Sequence, residues 1–223
     1  MAYVDFMSVL HKSTERDYLA RVNDQVYPKA KAAQLAKQWS HDYWDGDRRI
    51  NYGGYHYIEG RWEKVALAML EHYDLPKAPK ILDIGCGKGF LLFDFLKIIT
   101  DAEVYGIDIS EYAIENCKEE VQDRLQVGNA TQLPWMDNTF DLVISINTFH
   151  NLHNYELDAA LREMERVGKQ SKYICVESYR TEVEKANLLY WQVTCESFCT
   201  PREWEWWLEH AGYTGDHSLI YFE

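Results

Sequence analysis

The stretch Ile81-Leu-Asp-Ile-Gly-Cys-Gly-Lys-Gly-Phe90 constrains this chain more than any other. Its first half, from Lys80 to Ile84, is a short apolar run of the kind that a strand buried on both faces requires. Its second half runs on through Phe90-Leu-Leu-Phe-Asp-Phe-Leu-Lys-Ile-Ile99, which is apolar at helical spacing. Between them Gly85, Gly87 and Gly89 alternate with single residues, so the backbone can turn sharply and approach a ligand closely. The amides of such a loop and of the helix start behind it suit a negative group such as a carboxylate. Strand, glycine turn and helix in that order open an α/β unit.

The spacing of the glycines discriminates between ligands. A dinucleotide fingerprint reads G-x-G-x-x-G, whereas this loop reads Asp83-x-Gly85-x-Gly87-x-Gly89. Glu103-Val-Tyr-Gly-Ile-Asp108 reads as the next strand, and its last residue stands 19 positions after Gly89. A carboxylate at that strand tip can accept both hydroxyls of an adenosine ribose. The plainer reading of Asp108 is an acidic helix cap, since Ser110 and Glu111 follow it. The two motifs together resemble those of the class I S-adenosylmethionine (SAM) methyltransferases.

The rest of the composition bounds the function. At 223 residues there is room for one α/β domain with a full core. The 23 basic residues stand against 36 acidic ones, a net charge of −13 with no basic run, so nucleic acid is not expected as a substrate. The N-terminal residues lack the charged start and apolar region of a secretory leader. No window of 18 apolar residues suggests a membrane span. Three of the five cysteines (Cys86, Cys117 and Cys175) fall in expected core elements, which points to reduced thiols and a cytoplasmic location. Cys195 and Cys199 have no second pair at ligand spacing, so no metal site is expected.

Two regions differ in character. Residues 1–60 form an arm: polar and helix-prone to about residue 42, then Tyr43 to Tyr57, where aromatics, charges and glycines mix without a period. That second stretch reads as an ordered loop, either a lid over a site or aromatic packing of the arm onto the domain. From 61 to 223 strands and helices alternate: strands over 80–84, 103–108, 124–128, 140–146 and 172–178, helices over 62–72, 90–99, 111–121, 155–167 and 200–213. Alternation at that pitch means an α/β fold, Rossmann-like and doubly wound, with a mainly parallel sheet and right-handed crossovers. Ligands then sit at the carboxyl ends of the strands, near the switch in strand order.

The resemblance, most specifically to the ubiquinone/menaquinone-methyltransferase-like group, covers about residues 62 to 213. It implies SAM as cofactor, held by Asp83, Gly85, Cys86, Gly87 and Gly89 in the loop and by Asp108 and Ile109 at the second strand. Gly128-Asn-Ala-Thr-Gln-Leu-Pro-Trp135 matches the segment beside the adenine, with Asn129 where an Asp is usual and Ala130 next to it. An amide oxygen can still accept from the adenine amino group. Phe140 to Leu152 matches the fourth-strand motif, after which Asn147, Thr148, Phe149 and His150 would flank the methionine part and the reacting centre. The family closes its sheet with an antiparallel hairpin, and the ten residues after Tyr213 scarcely make two strands. A shortened sheet is expected, or a missing strand replaced by residues 192–199. The chain is also similar to bacterial methyltransferases encoded among surface-polysaccharide genes.

Methyl transfer implies a small-molecule acceptor. His150 and Glu177 are the candidate bases, each with a structural alternative as a hydrogen-bonded histidine and a bridging carboxylate. Tyr52, Tyr55, Tyr57 and Tyr179 are candidates for the acceptor pocket, and Arg48, Arg49 and Arg180 for an anionic group on the acceptor, or for pairing with surface carboxylates. A non-catalytic SAM-binding subunit and a nicotinamide-dependent oxidoreductase remain as alternatives, the second disfavoured by the glycine spacing.

Overall fold

A computed structural model describes residues 1–10 and 16–223. Its centre is one sheet of six parallel strands, β1 (Lys80–Ile84), β2 (Glu103–Asp108), β3 (Leu125–Val127), β4 (Phe140–Ile146), β5 (Gly168–Glu177) and β6 (Asp216–Ile220). They lie in the order β3-β2-β1-β4-β5-β6, so the chain builds outward from β1 to one edge, then returns to β1's other side with β4. That reversal opens a crevice beyond the carboxyl ends of β1 and β4.

Alternate strand residues face opposite helix layers, which is why the strands read as continuous apolar runs. Ile81, Val104, Leu142 and Tyr173 pack under α4 (Glu63–His72) and α5 (Phe90–Ile98). Leu82, Val143, Ile174 and Leu219 pack under α7 (Asn154–Val167) and α9 (Pro201–His210). Thr200 caps α9 through a reciprocal pairing with Glu203, and Pro201 follows at the first turn, where its missing N–H costs nothing.

Two expectations need correcting. The helix expected over 111–121 stops early: α6 covers Glu111–Glu115, and a 3-10 turn follows at Glu119–Arg124. Lys118 donates its backbone N–H to the Lys88 carbonyl at 3.0 Å, which draws the chain onto the glycine loop instead of onward in the helix. Residues 192–199, offered as the replacement for a missing strand, do not join the sheet. The shortened sheet itself is present: among the described residues one strand follows α9, parallel to β5, and no antiparallel hairpin forms. The outer edge of β6 is met by the N-terminus, where Val4 N–H donates to the His217 carbonyl at 2.9 Å and His217 N–H to that of Ala2 at 3.0 Å. An edge that would otherwise offer open pairing groups is thereby partly covered.

The arm contributes short helices α1 (Tyr18–Asn23), α2 (Lys29–Ala36) and α3 (His41–Trp44), and α8 (Glu182–Trp191) lies between β5 and α9. Tyr43, Trp44 and Ile50 of the arm are buried together with Ala113 of α6 and Val193. The arm therefore lies across the crevice.

Candidate active site

A cleft of about 450 Å³ lies at the carboxyl ends of the strands and is lined by both the glycine loop and the arm. Gly85 takes φ 80°, and a Cβ there would fall 2.0 Å from Thr148 Oγ1, so only glycine fits between β1 and the end of β4. Gly87, at φ 53°, has the Trp44 ring where a Cβ would be, at 2.8 Å. Asp108, nearly buried, accepts from Gly87 N–H at 2.8 Å with one oxygen and from Ser110 N–H at 2.9 Å with the other. Each carboxylate oxygen keeps a lone pair for a further donor on the cleft side. Burial raises the Asp108 pKa, and these backbone N–H bonds oppose the rise.

Asp83 is buried beside it, and burial together with the charge of Asp108 pushes its pKa up to about 8. Asn147 sits in the left-handed region at φ 58°, held by its N–H to the Cys175 carbonyl at 2.9 Å. Its Oδ1 and that of Asn151 are buried with no hydrogen-bond partner among the described residues, and both residues line the cleft. Unpartnered buried acceptors cost about 1–3 kcal/mol each and call for a ligand donor. These features fit SAM: Asp108 for the ribose hydroxyls, Asn147 and Asp83 for the cationic methionine end, exposed Ile109 and half-buried Ala130 for the adenine faces. Asn129 enters differently from expectation. Its Oδ1 already accepts from both Thr131 N–H and Thr131 Oγ1 at 2.9 Å, and a backbone N–H can only donate, so the amide presents its NH₂ rather than its oxygen.

The residues expected around the acceptor divide. Tyr52 and Tyr55 line the cleft, Tyr52 stacked on Trp44 at 9° and Tyr55 on Phe90 at 22°. Tyr57 turns away from the cleft, its hydroxyl on buried Asp94 and its ring edge against Phe93. Arg49 pairs with Asp47 at 2.6 Å over the Tyr27 ring, and Arg48 is held by the Asn51 carbonyl near Trp191. Tyr179 is buried with Leu188 and Phe222, and Arg180 bridges Glu184 and Glu223. None of these five lines the cleft.

His150 and Glu177 also lie behind its wall rather than on it. They are buried against each other, His150 Nε2 3.4 Å from Glu177 Oε2, with Gln192 donating to the other carboxylate oxygen. Burial lowers the His150 pKa to about 3 and raises that of Glu177 to about 8, so near neutrality the imidazole is uncharged and the carboxyl is protonated. The His150 carbonyl accepts from Glu196 N–H at 2.9 Å and Ser197 N–H at 3.0 Å, and so hangs residues 194–197 on the cleft. This brings in groups that the sequence reading missed: Thr194, Glu196, His153, Lys37 and Arg61 all line it. His153 Nδ1 lies 3.8 Å from Glu196 Oε2, and Lys37 pairs with the same carboxylate. Nothing in their spacing marks them, because irregular segments carry them together.

Comparison with known proteins supplies the deciding observation. A family profile described as a methyltransferase domain matches residues 75–212. The chain belongs to that methyltransferase family. Its fold is that of a class I SAM-dependent methyltransferase domain. The chain is 34% identical over 128 residues to a demethylmenaquinone methyltransferase of Symbiobacterium thermophilum, covering 53% of this chain and 50% of that protein. It is 30% identical over 176 residues to a tRNA (carboxymethyluridine(34)-5-O)-methyltransferase of Arabidopsis thaliana, covering 78% of this chain and 36% of that protein. It thus spans half the length or less of these curated relatives. Among solved structures, the YcgJ protein of a Bacillus gives a TM-score of 0.53 at 22% identity over 66% of each chain. The [4+2]-cyclase SpnF gives 0.57 at 17% identity over 81% of this chain and 72% of its own. These two likenesses concern the fold alone, and the second shows that the fold by itself does not dictate the reaction.

Proposed function

We propose that this methyltransferase domain moves a methyl group from SAM to a small polar acceptor held under the arm. One observation carries the reading: Asp108 and Asn147 of the cofactor half and Tyr43 and Tyr52 of the arm line one continuous cleft. Bound there, SAM supplies an activated methyl group and its own leaving group. The residues of the chain then have to orient the acceptor and exclude water. Orientation of this kind supplies up to about 7–11 kcal/mol, and the aromatic walls supply the dry surroundings.

Thr194, Asn151 and Glu196 offer hydrogen bonds to hydroxyl groups, and Tyr43 and Trp39 offer flat apolar faces. With Arg48 and Arg49 turned away, an anionic group on the acceptor would, among the described residues, meet Arg61, since Lys37 is taken by Glu196. A sugar-containing precursor of the surface-polysaccharide kind satisfies these groups together. Among the described residues His153, with Glu196 beside it, is the imidazole on the cleft able to take the acceptor's proton, a role worth about 10²–10⁴-fold where the proton must leave early. The test is mass spectrometry of sugar phosphates, free sugars and quinol-type phenols after incubation with chain and SAM. A product one methylene heavier, formed only with SAM, identifies the acceptor. SAM consumption with no methylated product from any class would refute the small-acceptor reading.

A further inference from the structure

The arm and the cofactor loop are tied by one carboxylate, that of Asp45. Its Oδ2 accepts from Lys88 Nζ at 2.6 Å and from the Tyr112 hydroxyl at 2.8 Å, and its Oδ1 accepts from Tyr55 N–H at 3.0 Å. Lys88 stands between Gly87 and Gly89, and its side chain is only 6% exposed although it is cationic. A buried ammonium needs a partner, and Asp45 is the ion-pair partner it has among the described residues. The lowered pKa of Asp45, opposed by burial but carried by these hydrogen bonds, agrees with that geometry.

The neighbouring residue closes a circuit. Trp44 donates its indole N–H to Ser110 Oγ at 2.8 Å, and Ser110 N–H donates to Asp108. Asp108 holds Gly87 N–H, and Gly87 adjoins Lys88. The path Asp45, Lys88, Gly87, Asp108, Ser110, Trp44 therefore returns to its start and runs through both cofactor-contacting elements. The Trp44 ring also covers Gly87, at the contact distance noted above.

On this geometry, and resting on the SAM-binding reading of the cleft, we infer that Asp45 is a positioning residue that fastens the arm over the bound cofactor and sets the rate at which cofactor exchanges. It does not touch the cofactor. It acts through Lys88 on the loop amides and through Trp44 on the roof, so a cofactor cannot leave until the Asp45–Lys88 pair parts. Loss of the carboxylate should loosen the roof and the loop together, raising dissociation more than association slows.

The experiment is stopped-flow fluorescence of the full chain with S-adenosylhomocysteine, with Asp45→Asn, Asp45→Glu and Tyr112→Phe beside the wild type. Asp45→Asn should release the ligand at least about tenfold faster, Asp45→Glu should recover part of the loss, and Tyr112→Phe should give a smaller increase in the same direction. Tyr112→Phe leaves no buried charge unpaired, so it decides the question if Asp45→Asn does not fold. Dissociation at the wild-type rate in Asp45→Asn, or in Tyr112→Phe when the first variant is unfolded, overturns the inference. Absence of binding to the wild type would instead remove the SAM reading on which it rests.

Discussion

Two carboxyl groups lie side by side in the cleft, both raised by burial but with different partners. Asp108 is held by two backbone N–H groups, whereas Asp83 has burial and the charge of its neighbour, and keeps its proton up to about pH 8. In the unfolded chain Asp83 ionises near its ordinary 3.8, so between about pH 4 and 8 the unfolded state binds fewer protons. Stability of the ligand-free chain should therefore be fullest at the acid end of that window and fall as pH rises toward 8, by on the order of a few kcal/mol. Glu177, also raised to about 8, adds with the same sign, while neutral His150 opposes it below its ordinary 6.5. Thermal melts across the window should show the decline, and Asp83→Asn should flatten it; equal slopes in both proteins would place the effect elsewhere. His153→Ala should lower turnover of the identified acceptor by about 10²-fold or more while S-adenosylhomocysteine affinity stays near wild type. Undiminished kcat in that variant would deny His153 a part in proton removal. The contrast between His150 and His153 shows how far sequence reaches at this scale. The places of Gly85 and Asp108 are legible because a tight backbone turn after one strand and the tip of the next strand have fixed spacings. Which of two nearby histidines faces the cleft depends on where Glu196 is brought in from a distant segment, and no local pattern encodes that.

The arm is the element whose role was least visible in advance. Its aromatics announced order, and Tyr52 and Tyr55 do reach the cleft. Arg48 and Arg49 carried no comparable signal, since their partners, the Asn51 carbonyl and Asp47, are near in sequence but give no direction. Amide exchange in residues 39–57 should slow when S-adenosylhomocysteine binds, because the roof can then open only against ligand contacts. Exchange rates indifferent to ligand would reduce the arm to packing. Strands β1 to β4 and helices α4, α5 and α7, by contrast, are readable almost to their ends, because a strand buried on both faces admits little but apolar residues, whereas β5 begins four residues before its expected start and α8 and β6 are absent from the sequence reading. Where α6 stopped short, the cause was the tertiary bond from Lys118 to the glycine loop, which propensity cannot register.

On the scale of the whole molecule, among the described residues the sheet has the single parallel strand β6 after α9, and the N-terminal residues meet its edge. Phe6 anchors that segment, with its ring centroid 4.9 Å from that of Tyr173 and 5.3 Å from that of His72. Phe6→Ala should cost about 3–5 kcal/mol in denaturant unfolding, as expected for a buried aromatic; a loss under about 1 kcal/mol would mean that the segment merely rests on the edge. The parallel pairing of β6 with β5 joins residues some forty positions apart, and the segment from Ala2 to Val4 meets β6 across more than 200 residues of sequence, so no local pattern encodes either. The central claim, that the crevice holds an adenosyl cofactor through the glycine loop and Asp108, is tested most directly by calorimetric titration of wild type and Asp108→Ala with S-adenosylhomocysteine and with NAD. The wild type should bind one S-adenosylhomocysteine and no NAD, and Asp108→Ala should bind more weakly by about 1.5–3 kcal/mol, the loss of hydrogen bonds to a charge. Binding of NAD in place of S-adenosylhomocysteine, or affinity unchanged by the loss of Asp108, would contradict it.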